Sequence, residues 1–485
     1  MSIHAQLSPE ALEALKRQKR NSTISSIVIA ALTILLVGLI LGFFLLDNYV
    51  RETPTIVTYA ATMNEDQQLD QRKVTTTITR KPSSPSSAQA KVIAAATASP
   101  TAIPVPEVEV ITPSASFGDT DDFGFGFGDD AGMGGGFQGI PSTMRKRCTP
   151  EDRAERLRES GGIPECEIAV EKALQWLKST QNSDGSWGNS NKGAMTGFAL
   201  LAYLGRCETP ISIEYGASVL NGIMYLIDLA KKNDGRLAQA GETSNQWVYE
   251  HGIATYAMAE AYTFCRQLQI SVPELAETTR KAGEMIVKGQ GAAGGWLYRY
   301  TGGNGGDNSV GFWQIQAIKA CQHTMLWELG ELDRTLAKSV EWLKSVQGEN
   351  GAIGYRNQPN RSPGLTGGGV LCIQLVEGPK SSAARKGIEY IEKNSDFKWE
   401  DKSANLYYHY YNAQAMINYG GKQWNDYNAK FRDTLLANQS PKGTWTRSHG
   451  NHDAVNEHMA TCLATMMLEV YYRFLPATGE SIRSR

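Results

Sequence analysis

The sequence predicts an all-α protein in three parts: a membrane-spanning helix, a long linker and a C-terminal domain of six helical hairpins. Three observations lead to this prediction. An uncharged apolar run occupies positions 24–46, and the stretch after it is rich in Ser, Thr, Pro, Ala and Gly. All 10 tryptophans lie between Trp176 and Trp445, so the packed core belongs to the C-terminal part.

The apolar run Ile24–Leu46 predicts a retained transmembrane helix. Its 23 residues would rise about 34 Å, enough for a hydrocarbon core of roughly 30 Å. The alternative is a cleaved signal peptide, whose apolar region is shorter and ends at small residues. Basic residues cluster before the run, including Lys16, Arg17 and Arg20. The positive-inside rule then places residues 1–23 in the cytoplasm and the C-terminal domain outside the cell membrane, on the periplasmic side.

The segment 47–147 predicts a disordered linker. Between Thr75 and Ser116, 28 of 42 residues are Ser, Thr, Pro or Ala, and Phe117–Gly139 is a Gly-Phe-Asp repeat. Such compositions bury too little apolar surface to offset the entropy of ordering. The C-terminal domain is therefore expected to be connected to the membrane helix by a long flexible linker.

Charge and cysteine content exclude several classes of protein. The net charge is −2, with 13 basic and 14 acidic residues before Cys148 and 35 and 36 after it. A nucleic-acid-binding protein would normally carry a basic excess. The seven cysteines include no CxxC pair, which argues against a disulfide framework and against a zinc ribbon.

Six copies of one turn divide residues 150–485 into units of about 50 residues. In the four clearest copies a glycine follows a glutamine by four residues, as in Gln181-Asn-Ser-Asp-Gly185, and two copies are degenerate. The six anchors are Gln181, Lys231, Gln290, Gln347, Lys393 and Gln439. A regular period of this length indicates a repeat architecture of stacked hairpins.

Two classes of helix alternate along these units. Helices before the turns are amphipathic; in Arg334–Gln347, Leu336, Val340 and Leu343 recur on one face. Helices after the turns are apolar most of the way round, which indicates burial. The predicted apolar helices are Ala194–Leu204, Val248–Gln267, Ser309–Leu326, Leu365–Val376, Tyr407–Tyr419 and Glu457–Leu475. The pattern favours two layers with the apolar helices inside, and leaves open whether the layers close into a ring.

The turn Gln181-Asn-Ser-Asp-Gly185-Ser-Trp187 resembles the QW repeat of squalene and terpenoid cyclases. The whole C-terminal part is similar to the membrane-tethered, single-toroid prenyltransferase and squalene cyclase repeat proteins of planctomycete and verrucomicrobial genomes. That resemblance implies an α6–α6 toroid with a central cavity and isoprenoid or lipid-like ligands. The turn itself is expected to be structural, with Gly at positive φ, Gln bonding backbone groups and Trp covering the joint.

Terpenoid cyclases of this superfamily that protonate a double bond use a DxDD motif. The sequence contains one, Asp119-Thr120-Asp121-Asp122, but it falls in the linker, where nothing would desolvate or orient it. The comparable position in the toroid is Asp307, at the start of an apolar helix. Asp307 is predicted either to cap that helix or to act as the catalytic acid. Asp453 is the second candidate acid.

A zinc site is a weaker alternative. Protein prenyltransferases, a related branch, use a DxC pair and a distant His, and no DxC occurs here. His458 and Cys462 are four residues apart and share a helix face, and Asp453 lies nearby in sequence. The competing interpretation is a capped helix start with a buried cysteine. No cofactor is therefore predicted.

Polar and aromatic side chains near the starts of the apolar helices are candidates for substrate binding. Aromatic rings lining a cavity would stabilise a carbocation, although rings at such positions are more often plain core. A histidine there is more often a hydrogen-bonded core residue. The candidate binding residues are His251, Trp313, Tyr408, Tyr411 and His458.

Two functions remain open at this point. The first is an enzyme of the terpenoid cyclase type that binds an isoprenoid or other apolar ligand in the toroid, with Asp307 or Asp453 as acid. The second is a non-catalytic binding or scaffold module that meets a partner protein in the cell envelope. The resemblance alone cannot choose between them.

Overall fold

A computed structural model describes residues 55–56, 147–328, 330–356, 363–446 and 456–473. The predicted transmembrane run and nearly all of the predicted linker lie outside these residues. None of the helices in the described ranges is long and apolar enough to cross a membrane. In those ranges the α-helices are α1 (Pro150–Glu159), α2 (Pro164–Ser179), α3 (Lys192–Gly205), α4 (Gly216–Lys232), α5 (Trp247–Gln267), α6 (Leu275–Lys288), α7 (Asn308–His323), α8 (Asp333–Ser345), α9 (Pro363–Glu377), α10 (Ser382–Asn394), α11 (Leu406–Tyr419), α12 (Gly421–Ala437) and α13 (Glu457–Leu468).

Odd-numbered helices from α3 onward are the inner layer, and even-numbered helices are the outer layer. Every residue of α3 from Gly193 to Gly205 is buried, whereas the buried residues of α8 form one stripe that includes Leu336, Val340 and Leu343. This confirms a mostly helical protein with two alternating classes of helix. The difference follows from the sequence, because only a helix that is apolar on all sides can be surrounded by protein.

The inner helices pack in a closed cycle. Helix α3 contacts α5, and each inner helix contacts the next until α13 returns to α3. In the outer layer α4 contacts α6, α10 contacts α12, and α12 returns to α2. The hairpins therefore form a ring whose last unit meets its first, which the repeat pattern alone had left open.

The QxxxG turns join one outer helix to the next. The Gln439 side-chain amide donates to Gly443 O at 3.1 Å and to Ala169 O on α2 at 2.7 Å. Gly443 has φ +89, and a Cβ there would lie 2.4 Å from Lys172 O on α2. Only glycine fits a positive φ against so close a backbone. Gln181, Gln290 and Gln347 each bond in the same two ways, to the glycine of their own turn and to the next outer helix.

The tryptophans of this motif close the joint between a turn and the preceding outer helix. Trp187 is fully buried and its indole N–H donates to Leu177 O at 2.7 Å. Trp296 and Trp445 make the equivalent bond to a carbonyl ten residues earlier. These contacts agree with the structural role expected for the motif, since each one satisfies a carbonyl near a helix end.

Three features were not expected from the sequence. The predicted last inner helix, to Leu475, ends at Leu468, and the chain then turns so that Arg473 N donates to Glu469 O at 2.8 Å. Cys148 and Cys207 form a disulfide, while the other five cysteines are free and buried. A two-residue strand β1 (Thr55–Ile56) pairs in parallel with β2 (Ile270–Ser271).

Candidate functional site

The starts of the inner helices lie together at one end of the ring, which we call the mouth. At this end the Tyr249 hydroxyl is 2.6 Å from Ser309 Oγ, which joins the start of α5 to that of α7. His458 Nε2 is 2.9 Å from Met195 O, which joins the start of α13 to that of α3. Parallel inner helices place their starts side by side, so the candidate residues are brought to the same end of the ring.

A group of rings, the axial aromatic cluster (Phe198, Trp313, Tyr410 and Tyr411), fills the ring axis behind the mouth. Trp313 on α7 stacks on Tyr410 of α11, with centroids 5.6 Å apart, and meets Phe198 of α3 edge-on at 5.4 Å. Helices α3 and α11 are each two positions from α7 around the ring, so these contacts cross the axis. All four rings are at most 1% exposed, and Trp313 is 0% exposed. No water-sized space therefore touches the Trp313 ring.

Trp313 and Tyr411 were predicted to line a binding cavity. The structure does bring them together, with centroids 5.5 Å apart. The Trp313 indole N–H donates to the Tyr407 hydroxyl at 2.6 Å. Both rings thus pack against protein, which is the core role that the sequence could not separate from cavity lining.

Asp307 is the N-cap of α7. Its Oδ1 accepts from the Ser309 N–H at 3.1 Å and from the Ser309 hydroxyl at 2.5 Å. Its Oδ2 accepts from Arg356 Nε at 3.2 Å. Both carboxylate oxygens are thus engaged, and the residue is only 5% exposed. Of the two roles predicted for Asp307, this geometry favours the cap over the catalytic acid, which needs an oxygen facing the ligand.

Tyr408 lies at the rim of the mouth among other half-buried tyrosines. Tyr249 and Tyr298 hydroxyls are 3.2 Å apart, and the Arg356 guanidinium stands 5.8 Å from the Tyr298 ring centroid. Tyr355 is 49% exposed, and burial together with its neighbour Tyr408 raises its pKa to about 12. Among the described residues, the rim thus combines tyrosine hydroxyls with the half-exposed Arg356 guanidinium.

His251 is fully buried and bonded through both ring nitrogens. Nδ1 accepts from the Leu237 N–H at 3.0 Å, and Nε2 is 3.1 Å from Ala282 O. Burial lowers the pKa of His251 to about 4, so the ring is neutral at physiological pH. The imidazole therefore ties the loop before α5 to α6, and no ring atom is available to a ligand.

His458 and Cys462 lie together, with Nε2 and Sγ 3.6 Å apart. Burial lowers the pKa of His458 to about 4, and its Nε2 is the atom within hydrogen-bonding distance of Met195 O. Asp453, the third member of the weaker zinc alternative and the second candidate acid, lies outside the described residues. Among the residues that the structure does describe, no three His, Cys, Asp or Glu side chains are grouped to hold a metal.

A second group, the axial ion cluster (Arg147, Glu260, Glu469 and Arg473), occupies the axis at the opposite end from the mouth. Arg147 Nη1 is 2.7 Å from Glu260 Oε1, and Arg473 Nη2 is 3.1 Å from Glu260 Oε2. Arg473 Nη1 lies 3.7 Å from Glu469 Oε2. None of the four is more than 5% exposed. Burial raises the pKa of Glu469 well above its usual range, so the charge pairing in this cluster is mainly that of Glu260 with the two arginines.

Sequence reasoning missed the axial ion cluster. Glu260 and Glu469 are single charges inside otherwise apolar runs, Ala-Met-Ala-Glu-Ala and Met-Met-Leu-Glu-Val. An isolated acid on a buried helix is itself a signal, because it requires a buried cation. Arg147 was not recognisable as that cation, since it stands at the end of the predicted linker.

No family model matches the chain, and no curated protein matches it. Chains of solved structures that are similar to it include the following two. An inactive variant of the α-1,6-mannanase GH76A of Salegentibacter, in complex with α-1,6-mannotetrose, has a TM-score of 0.49 at 11% identity, over 64% of this chain and 99% of that one. A variant of the type II terpene cyclase MstE from Scytonema, in complex with geranylgeranyl dihydroxybenzoate, has a TM-score of 0.40 at 12% identity, over 64% and 97%. Both are α/α-toroid proteins.

Proposed function

We propose that this protein is a non-catalytic binding module of the cell envelope, which uses the mouth of its toroid to hold a partner protein. The observation that carries the proposal is the filled axis. Trp313 and Tyr411 are at most 1% exposed, and so is Arg147 at the far end. An isoprenoid chain needs an elongated apolar cavity, and these side chains stand where that cavity would be. Among the described residues, the axis therefore offers no space for an isoprenoid at Trp313 and Tyr411.

The chemistry of the rim supports a protein partner. Tyr and Arg are enriched among the residues that dominate protein–protein binding energies, because they combine a large apolar surface with hydrogen-bonding groups. The Arg356 side chain is 53% exposed while its Nε is held by Asp307. An orientation fixed in advance reduces the entropy lost when a partner binds. Asp307 is thus a positioning residue for Arg356 in this proposal.

The disulfide supports a location outside the cytoplasm. Cys148–Cys207 bonds of this kind persist mainly in oxidising compartments. Together with the apolar run 24–46, this favours a single-pass membrane protein with a cytoplasmic N-terminus and the toroid on the periplasmic side. Protease added to intact spheroplasts should then remove the toroid, and full protection of the C-terminal part would exclude this topology.

The binding proposal is tested by a photo-crosslinking amino acid, benzoylphenylalanine, placed at Tyr355 in the full-length protein in cells. The control position is Ile213, which is fully exposed on the loop after α3, at the end away from the mouth. We expect a discrete protein adduct from position 355 that position 213 does not give. The adduct should weaken in Arg356→Gln, which removes the guanidinium charge but keeps an N–H donor for Asp307, so that the melting temperature should stay close to wild type.

Lipid extracted from the purified full-length protein provides the opposing test. Mass spectrometry should find no isoprenoid at a stoichiometry near one per chain. A stoichiometric isoprenoid, with no adduct at position 355, would overturn the binding-module proposal in favour of a cyclase-type ligand site.

A further inference from the structure

The chain enters the described toroid through a short segment, residues 147–149, which we call the strap. Cys148 in the strap is joined by a disulfide to Cys207, which directly follows the end of α3. One residue earlier, the fully buried Arg147 side chain points to the ring axis and pairs with Glu260 on α5. Its guanidinium also lies 5.3 Å from the centroid of Phe264 on α5. The strap therefore closes the end of the axis opposite the mouth.

Arg147 is held in this position at a cost. Burial lowers the pKa of Arg147, although Glu260 opposes the shift. Two of its nitrogens, Nε and Nη2, are buried without an acceptor in the described structure. A buried charge with unsatisfied donors is destabilising relative to the same group in water. Considered alone, the Arg147 guanidinium would therefore be more stable in water than in the ring axis.

Glu260 does not depend on Arg147 alone. Burial acts against the charge of Arg473 as well, but Glu260 and neighbouring groups more than offset it and raise the pKa of Arg473 above its usual range. Arg473 Nη2 would still pair with Glu260 at 3.1 Å if Arg147 left. The two arginines thus differ. The cluster raises the pKa of Arg473, whereas Arg147 is retained by the disulfide beside it and by Arg153, whose Nη1 donates to Arg147 O at 2.9 Å.

The disulfide is placed where a thiol reagent can reach it. Cys148 is half-buried, while Cys207 is 8% exposed. Cys207 also has φ +66, a left-handed conformation that costs a non-glycine residue about 1–3 kcal/mol. Accessible disulfides at strained positions are generally the labile ones.

We propose that Cys148–Cys207 is a thiol-exchange site that acts as a latch on the axis. A dithiol reductant attacks Cys148 Sγ, forms a mixed disulfide and is displaced by its own second thiol. Two electrons and two protons pass to Cys148 and Cys207, and the reductant becomes a cyclic disulfide. The strap then loses its covalent restraint, Arg147 exchanges its contacts with Glu260 and Arg153 for water, and the axis opens at the end away from the mouth. This latch stands on the disulfide and the ion cluster, independently of the partner proposed for the mouth.

Hydrogen exchange followed by mass spectrometry tests the latch on the full-length protein, oxidised and after treatment with dithiothreitol. Reduction should speed exchange at least about tenfold in peptides that cover the strap with the start of α1 and in those around Glu260. Peptides from α9 and α11, on another side of the ring, should not change. A double variant, Cys148→Ser with Cys207→Ser, should behave like the reduced wild type without any reductant.

The matched variant is Arg147→Met, which keeps an apolar stem of similar length and removes the charge. Without a desolvated cation to release, its strap should stay protected after reduction. Three results would overturn the proposal: unchanged exchange in the reduced wild type, equal opening in reduced Arg147→Met, or faster exchange throughout the ring. The last result would make the disulfide a simple staple of overall stability.

Discussion

Closure of the ring at the Gly443 turn can be tested with a single methyl group. In Gly443→Ala the new Cβ would lie 2.4 Å from Lys172 O and 2.6 Å from Lys172 C, both on α2. The residue also has φ +89, where an L side chain is strained. We expect strain of about 1–2 kcal/mol and a further 1–3 kcal/mol from displacing α2. The free energy of unfolding should therefore fall by about 2–5 kcal/mol.

The chain provides a control that separates these two contributions. Gly378 has φ +100, and a Cβ there would meet nothing within 4 Å. Gly378→Ala should thus show the strain alone, about 1–2 kcal/mol. Gly351→Ala should match Gly443→Ala, because its Cβ would lie 2.0 Å from Lys386 O on α10, within the ring.

Urea unfolding of the full-length protein in detergent, monitored by tryptophan fluorescence, measures all three variants. In a closed ring the Gly443 and Gly351 variants lose similar stability, and both lose more than the Gly378 variant. If Gly443→Ala lost no more than Gly378→Ala while Gly351→Ala stayed costly, the last turn would not contact α2 and the ring would be open.

Three further predictions concern the core. Trp187→Ala removes a fully buried indole and its hydrogen bond to Leu177 O. The free energy of unfolding should fall by about 3–5 kcal/mol, and the melting temperature should fall with it. An unchanged melting temperature would contradict the structural role of the motif. Glu260→Gln leaves Arg147 without its carboxylate and Arg473 with only the more distant Glu469, and should cost about 3–5 kcal/mol in urea unfolding. A loss below about 1 kcal/mol would mean that the cluster is solvated. Burial lowers the pKa of His251 and His458 to about 4 from 6.5, so the stability from their neutral forms is full above pH 6.5 and is lost as the pH falls toward 4. Each pKa shift corresponds to about 3 kcal/mol of unfolding free energy. His251→Asn keeps an acceptor for the Leu237 N–H and should make the loss of stability at falling pH less steep. An equally steep loss in the variant would refute the role given to His251.

The repeat pattern was sufficient to predict the inner helices closely, except for the end of the last one, which was placed at Leu475 and lies at Leu468. The predicted Val248–Gln267 is observed as Trp247–Gln267, and Tyr407–Tyr419 as Leu406–Tyr419. Period and polarity are local properties, so they are readable from the chain. Closure of the ring could not be predicted from the sequence. Gly443 and Gly351 stand in the same turn motif, and this motif would be the same if Gly443 faced solvent instead of α2.

The candidate site was harder to predict, for a physical reason. A tryptophan near the start of an apolar helix looks the same when it lines a cavity and when it fills one, and Trp313 fills it. His251 likewise looks like a ligand-binding residue until the carbonyl and N–H that it bonds are located in space. Such distinctions depend on partners distant in sequence, which spacing within one helix does not reveal.

The meeting of both ends of the domain on Glu260 has a consequence for biosynthesis. Arg147 is the first of these residues to be translated and Arg473 the last, and they pair with the same carboxylate. A nascent chain that has not yet reached Arg473 lacks one of the two cations that pair with Glu260, and a chain that stops before α13 also lacks the surface that covers α3. The axial ion cluster is therefore completed only after Arg473 has been translated, and a premature stop codon even a few residues before position 473 is expected to yield a less stable product that is open to proteolysis.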